Sequence, residues 1–337
     1  MEVTNKKPGF RNQMTAFSVM AALLILGVVL YIFARTYVKA WRLGVEMSRQ
    51  AFDQILGRSV PALVGMAIAA VVIAVVSLLF QTMTESKVLT PSMIGFDAVF
   101  IGVQTMLLFF FGSTSVLFQN SYVNFLISAG AMVVISLLMY SAILRKSKNN
   151  MIFLLMFGLV LSGIVGNGAR YLQTIMTNYE FFQLQAAIHV TVNNMNTSII
   201  FLVLPIMVLL IVVILARHRT YNVLILGGAQ AKGLGVAYEK ELHRNLILVA
   251  IGMSVATALI GSLTFLGLLA VNLARMLLKT HRHLPLFIGS AVIAALALIM
   301  GQGVVELLEG AIPVTVIINL IGCSYLFYFI LKENKKF

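Results

Sequence analysis

Apolar runs of about 20 residues recur along the whole chain, and a helix of that length spans roughly 30 Å, the thickness of a bilayer's hydrocarbon core. The runs cover 16–34, 60–80, 98–111, 122–144, 151–166, 197–216, 245–274, 284–308 and 311–331. A helix facing water carries an apolar stripe and a polar face, and these blocks have no polar face. The chain is therefore read as an all-α, polytopic membrane protein. Composition agrees: 60% of the 337 residues are hydrophobic and 10% are charged, against roughly 25% charged in a soluble domain.

Charge sets the number of crossings. The run 245–274 would form a single helix of about 45 Å, too long for one crossing. Gly261 lies near its centre, and glycine is the residue that tolerates a tight reversal best. With the N-terminus inside and this run counted as two helices, the inner face receives 81–93, 145–150, 217–244, 275–283 and the tail from Lys332. These segments and the N-terminus hold 18 of the 24 Lys and Arg residues, as the excess of basic residues in cytoplasmic loops requires. Counted as one helix, the run would send Arg275, Lys279, Arg282 and the tail lysines outside. The expectation is about ten helices, both termini cytoplasmic, forming a single transmembrane domain over 1–337. The basic start shows no small-residue cleavage site and reads as a retained first span.

On this topology the net charge of +13 is an orientation signal, and no nucleic-acid partner is needed to explain it. One loop is an exception. Residues 35–58, outside by this count, carry Arg35, Lys39, Arg42, Arg49 and Arg58 against Glu46 and Asp53. They contact either lipid phosphates or a protein partner.

Several chemistries are missing from the sequence. There is no GxxxxGK[ST] loop to cradle nucleotide phosphates, so no ATPase activity and no other enzymatic role is expected. The lone Cys323 allows neither a disulfide nor a cysteine metal site within the chain. The five histidines are scattered, and His281 and His283 read as part of a solvated basic turn, so no metal site is assigned. Asp97, Glu306 and Glu309 stand at expected helix ends and read as hydrated or paired carboxylates rather than a proton relay. Arg170 and Glu180 are expected in the outer loop after the fifth run.

Three stretches carry more than hydropathy. The first, 224–236 within the polar segment 217–244, alternates small and apolar residues and is broken by Gly233 and Gly235. It suits a short helix, a turn and a second short helix lying on a partner's surface. The second, 261–275, is a glycine-punctuated reversal into a short helix. In the third, 312–322, Pro313 stands in the first turn of the last helix, where proline is tolerated.

In order and spacing these resemble the FecCD-type permeases of ABC importers for iron-siderophores and cobalamin. The family's coupling segment, LxLGxxxAxxLGV, is matched by Leu224, Leu226, Gly227, Ala231, Leu234, Gly235 and Val236. Its GxIxFxGLxxPHxxR is matched by Gly261, Phe265, Gly267, Leu268 and Arg275, with Val271 and Asn272 replacing Pro-His. Its PVGVVTxxIGxPxF is matched by Pro313, Val314, Val316, Ile321 and Gly322. The stretch 80–97 is similar to its Gln…Asn-Pro-Leu-Ala region. The details look most like the branch serving catecholate siderophores such as petrobactin and anguibactin.

The resemblance implies a type II ABC importer permease fold in the bacterial cytoplasmic membrane. It implies a second, homologous permease, either identical or different, ABC ATPase subunits below and an extracytoplasmic siderophore-binding protein above. It implies no cofactor bound by this chain, since ATP is used by the partner subunit. ATPase coupling falls to Leu226, Gly227, Ala231, Leu234, Gly235 and Val236. The cytoplasmic gate maps near Asn150, Met151 and Ile152. Pathway candidates are Gln81, Gln104, Asn193 and Asn194, residues that equally serve to glue membrane helices together. The family's outer-face RxPR docking pattern is approached by Arg58, with Arg49 upstream. The alternatives are a permease of the same class carrying cobalamin or haem, an ion-coupled secondary carrier, and a membrane scaffold. A carrier is expected to show charged, broken helices at mid-membrane, which the sequence does not clearly contain.

Overall fold

The computed structural model describes residues 10–38, 49–146, 151–189, 197–308 and 312–334. Among these, every element of regular structure is helical. In chain order the helices are α1 (Phe10–Phe33), α2 (Arg49–Met83), α3 (Phe96–Phe111), α4 (Val116–Gln119), α5 (Ser121–Lys146), α6 (Met151–Ile175) and α7 (Asn178–Ile188). They continue as α8 (Thr197–Ala216), α9 (His218–Leu224), α10 (Gly228–Gly233), α11 (Tyr238–Ile260), α12 (Leu266–Leu278), α13 (His283–Leu307) and α14 (Val314–Asn334). Among the described residues seven helices have the length and hydropathy of a membrane span, and α3, α12 and α14 supply three shorter apolar ones. Ten apolar helices therefore match the ten read from charge.

The split of the long apolar run is where the sequence places it. The helix α11 stops at Gly261, whose φ of +85° and ψ of −176° favour glycine, and α12 begins five residues later. The two helices then pack against α2 rather than against each other.

The bundle is organised around α2, most of which is buried. On one side α2 contacts α12 and α13, with α1 and α14 packed on α13; on the other it contacts α8 and α11, and α11 leads on to α3 and α5. Helix α6 leans mainly on α3 and leaves most of its surface uncovered.

Three local readings change. Helix α2 starts at Arg49, so residues 49–60 continue the span as helix, while 39–48 lie outside the described residues. Pro61 removes one backbone donor there. Arg170 lies within α6, because no breaker precedes Thr177 and the helix runs on to Ile175. Glu180 closes a capping box with Thr177 at the start of α7, the Thr-x-x-Glu pattern of a helix start.

Of the expected helix-end carboxylates, Glu306 is ion-paired and Asp97 is buried and hydrogen-bonded without a cation among the described residues. Arg35 Nη1 lies 3.1 Å from Glu306 Oε1 and donates to the Tyr31 hydroxyl at 2.8 Å, joining the end of α1 to α13. Both side chains are nearly buried. Asp97 is buried at the start of α3 and accepts a 2.5 Å hydrogen bond from Thr264 in the α11–α12 reversal. Glu309 lies outside the described residues. Removing one partner of a dry ion pair strands the other, so Glu306→Gln is expected to cost about 3 kcal/mol. Arg35→Met combined with Glu306→Leu should cost less. Unfolding of the detergent-purified protein by denaturant measures both, and equal losses would contradict the pairing.

Candidate functional site

Two features stand apart from the packed bundle: the polar connector between α8 and α11, and a cavity at the opposite ends of these helices.

The connector is two short helices held at fixed angles. Helix α9 buries Tyr221 and Leu224 and ends in a turn at Gly227, whose φ is +96°. A Cβ at Gly227 would crowd the side chains of Gln230 and Glu85, so the loop after α2 lies against this turn. Helix α10 follows, with Ala231 fully buried as its anchor. Gly235, at φ +82°, turns the chain into α11. The break thus comes at Gly227, ahead of the Gly233 position expected from sequence, because Gly233 is itself the last residue of α10.

The outer surface of the connector is mixed, with large apolar side chains standing beside the exposed Arg219, Gln230 and Lys232. Leu226 is 52% and Leu234 64% exposed, with Ile225 beside them. Val236 is half-buried, and its N–H bonds the Ala231 carbonyl at 3.0 Å. Large aliphatic side chains held out on a polar segment mark an interaction surface.

The connector is tied to the bundle at two places. Arg217 Nη2 meets Glu241 Oε1 at 2.6 Å, and Arg244 pairs with the other carboxylate oxygen. Tyr221 donates to Asn245 Oδ1 at 3.3 Å, and burial raises its hydroxyl pKa against the lowering effect of Arg217 and Arg244. The second tie runs from Asn222 to His283 and Thr82. His283 is wholly buried, so the solvated turn expected there ends at Arg282. Lys232 and Glu239 form an exposed ion pair at 3.0 Å, of small energetic weight.

The cavity, of about 490 Å³, lies among α4, the start of α5, α7 and the ends of α8 and α11. Asn124, Tyr179, Gln183 and His189 give it hydrogen-bonding walls, and Phe118 and Phe125 give it aromatic ones. Burial holds the His189 imidazole below its usual pKa, hence neutral near pH 7; its Nδ1 lies 3.3 Å from the Thr315 hydroxyl of α14. Among the described residues no carboxylate, Lys or Arg lines it. Such walls suit a polar solute without binding it tightly.

The other sequence candidates scatter. Gln104 is buried, and its amide donates to Asn124 Oδ1 at 2.7 Å and Ser128 Oγ at 3.0 Å. It lies behind the cavity wall and fixes Asn124 in place. Gln81 is buried near the end of α2, and its side-chain amide has no hydrogen-bond partner among the described residues. Met151 is buried at the start of α6, and Ile152 is exposed beside it. Arg49 is exposed at the start of α2. Asn150, Asn193, Asn194 and the side chain of Arg58 lie outside the described residues. Among the described residues no cluster of three His, Cys, Asp or Glu side chains forms a metal site. The sequence reading missed His283, Asn222 and the cavity; only the Thr177-x-x-Glu180 cap, which builds the α7 wall, left a local signal.

The model of the FecCD transport family matches residues 23–332. Over 285 residues the chain is 37% identical to the petrobactin import system permease protein YclO of Bacillus subtilis, covering 84% of this chain and 90% of that one. It is 32% identical to the petrobactin import system permease protein FatC of Bacillus anthracis, covering 82% of each. It is 27% identical to the ferric-anguibactin transport system permease protein FatD of Vibrio anguillarum, covering 88% of this chain and 92% of that one. Its fold matches a solved metal-chelate type ABC transporter in an inward-facing conformation, with TM-score 0.77, 19% identity, and coverage of 94% of this chain and 99% of that one.

Proposed function

The chain belongs to the FecCD transport family, and from that premise we propose that it is the permease subunit of an ABC importer that moves a ferric siderophore of the petrobactin class across the bacterial cytoplasmic membrane. The observation that carries the reading is the apolar ridge of Ile225, Leu226 and Leu234, held out on a rigid connector. Lipid does not cover a polar connector, so a protein does. An ATPase subunit docks there, against Leu226, Gly227, Leu234, Gly235 and Val236, with Ala231 as the buried anchor.

ATP binding and hydrolysis on that partner displace the connector, and the helices attached to it follow. Access alternates between the two faces with no covalent chemistry in this chain and no cofactor bound to it. Both termini face the cytoplasm, and the whole of 1–337 acts as one permease domain.

Helix α6 supports a second permease, identical or homologous. Its uncovered surface carries Asn167 and Arg170 beside Gly163 and Gly168, and hydrocarbon solvates such polar groups poorly. A partner helix and the pathway between the two chains suit that face. The gate at Asn150, Met151 and Ile152 then stands at its cytoplasmic end. A binding protein delivers the chelate from outside, where Arg49 and Arg58 offer positive charge. Arg58→Glu is expected to slow association of the binding protein by about tenfold at low salt, with the deficit shrinking as salt screens it. Stopped-flow binding at two ionic strengths measures this, and an unchanged rate returns these arginines to lipid contact.

The test of the whole assignment is co-purification with the ATPase, followed by ATP hydrolysis stimulated by binding protein loaded with ferric petrobactin, other ferric chelates, haem or cobalamin. Stimulation by cobalamin or haem alone would change the substrate class. Uptake without any ATPase would support an ion-coupled carrier instead.

A further inference from the structure

We propose that His283 is a positioning residue that locks the connector to α13 and α2, so that displacement of α9 carries both helices with it. The inference rests on the docking reading above and adds the route by which motion leaves the connector.

His283 is the first residue of α13 and is completely buried, although Arg282 and Leu284 on either side are exposed. Asn222 Oδ1, on α9, accepts from its backbone N–H at 2.8 Å and from its Nδ1 at 2.9 Å. An amide oxygen only accepts, so the proton is on Nδ1. The opposite nitrogen, Nε2, lies 2.9 Å from the Thr82 hydroxyl, one residue before the end of α2; that hydroxyl also lies 2.8 Å from the Leu78 carbonyl, so its one proton is shared between the two acceptors. The Tyr221 and Phe287 rings lie 6.0 and 5.8 Å from the imidazole. One side chain thus joins the connector, α13 and α2.

The two ties differ in strength under load. Opening the imidazole joint leaves the buried His283 ring without partners, which is costly. The tie to α11 is looser: the arginines of Arg217–Glu241–Arg244 are more than a third exposed, so water can replace their contacts, and the buried Tyr221–Asn245 bond is long at 3.3 Å. When the connector moves, α13 and α2 should follow it rigidly while α11 yields.

Spin labels at Lys240→Cys on α11 and Arg282→Cys at the start of α13, in a Cys323→Ser background, report this relative motion. The measurement uses the permease–ATPase complex, before and after trapping with ATP and vanadate. In the otherwise unaltered protein the label distance should change on trapping. His283→Gln keeps an amide near Thr82 and loses the Nδ1 bond to Asn222 while the backbone N–H bond to Asn222 remains, whereas Thr82→Val is nearly isosteric and breaks the other joint. In each, the fraction of complexes reaching the trapped distance should fall by about fivefold or more, with ATPase co-purification intact. An unchanged fraction in both variants overturns the proposal, as does the absence of any distance change without them. Loss of co-purification in both would make His283 part of docking and also overturns it. Failure of the docking reading shows separately, as a Gly235→Arg protein that still binds the ATPase.

Discussion

Gly235→Arg is expected to leave the chain folded in the membrane and to abolish its association with the ATPase. A Cβ at Gly235 meets nothing within 4 Å, so the new side chain has room and does not disturb the bundle. Its backbone, at φ +82°, costs a non-glycine residue about 1–2 kcal/mol, a strain confined to an exposed turn. The damage falls on the surface. A guanidinium then stands between Leu234 and Val236, and docking must either strip its water or leave a gap. Burying an unpaired charge at the centre of an interface removes several kcal/mol of affinity. ATPase co-purification should fall by about 100-fold or more, with membrane levels unchanged. Gly235→Ala carries the backbone cost without the charge and should retain most of the association. Normal assembly and uptake with Gly235→Arg would remove the connector from the docking surface.

Gly158→Val should fail at the opposite level, in folding. Gly158 faces the helical turn Pro91–Ile94, and a Cβ there would lie 2.8 Å from the Ile94 carbonyl oxygen and 3.1 Å from its Cα. Backbone atoms cannot swing aside, so α6 must move off α3. Overpacking costs roughly 1–3 kcal/mol when side chains can yield, and here about 3 kcal/mol or more is expected because the Ile94 backbone, and not only its Cγ2, stands in the way. Gly130→Val on α5 is the control: nothing lies within 4 Å of its Cβ. Monodisperse yield and denaturant midpoint in detergent should drop sharply for the first and stay level for the second. Equal behaviour would mean that α6 does not rest on this turn.

Hydropathy and charge make the helix count legible in the chain itself, since length against bilayer thickness and the placement of basic residues are local properties. The break at Gly261 is legible for the same kind of reason: about 30 Å of hydrocarbon cannot hold the run 245–274 as one helix. The connector is legible as two short helices, although its turn sits at Gly227, because Ala231 is pulled inward and keeps Gly233 helical. The reading of His283 as solvated goes the other way. Its neighbours in sequence are charged, and nothing local announces that Asn222 and Thr82, 61 and 201 residues away, converge on it.

The same division holds for the polar groups in the apolar helices. Gln104 could serve as a lining residue or as glue from sequence alone, and only the packing of α3 against α5 gave its amide to Asn124 and Ser128. Arg35 belonged to an outer cluster on charge alone, until the contact of α1 with α13 paired it with Glu306. The sequence by itself determined that this chain forms about ten apolar helices and where its polar connector lies. Tertiary structure decided which polar side chains meet, because a hydrogen bond depends on ångström-scale approach between distant segments, whereas hydropathy and charge are summed along the chain.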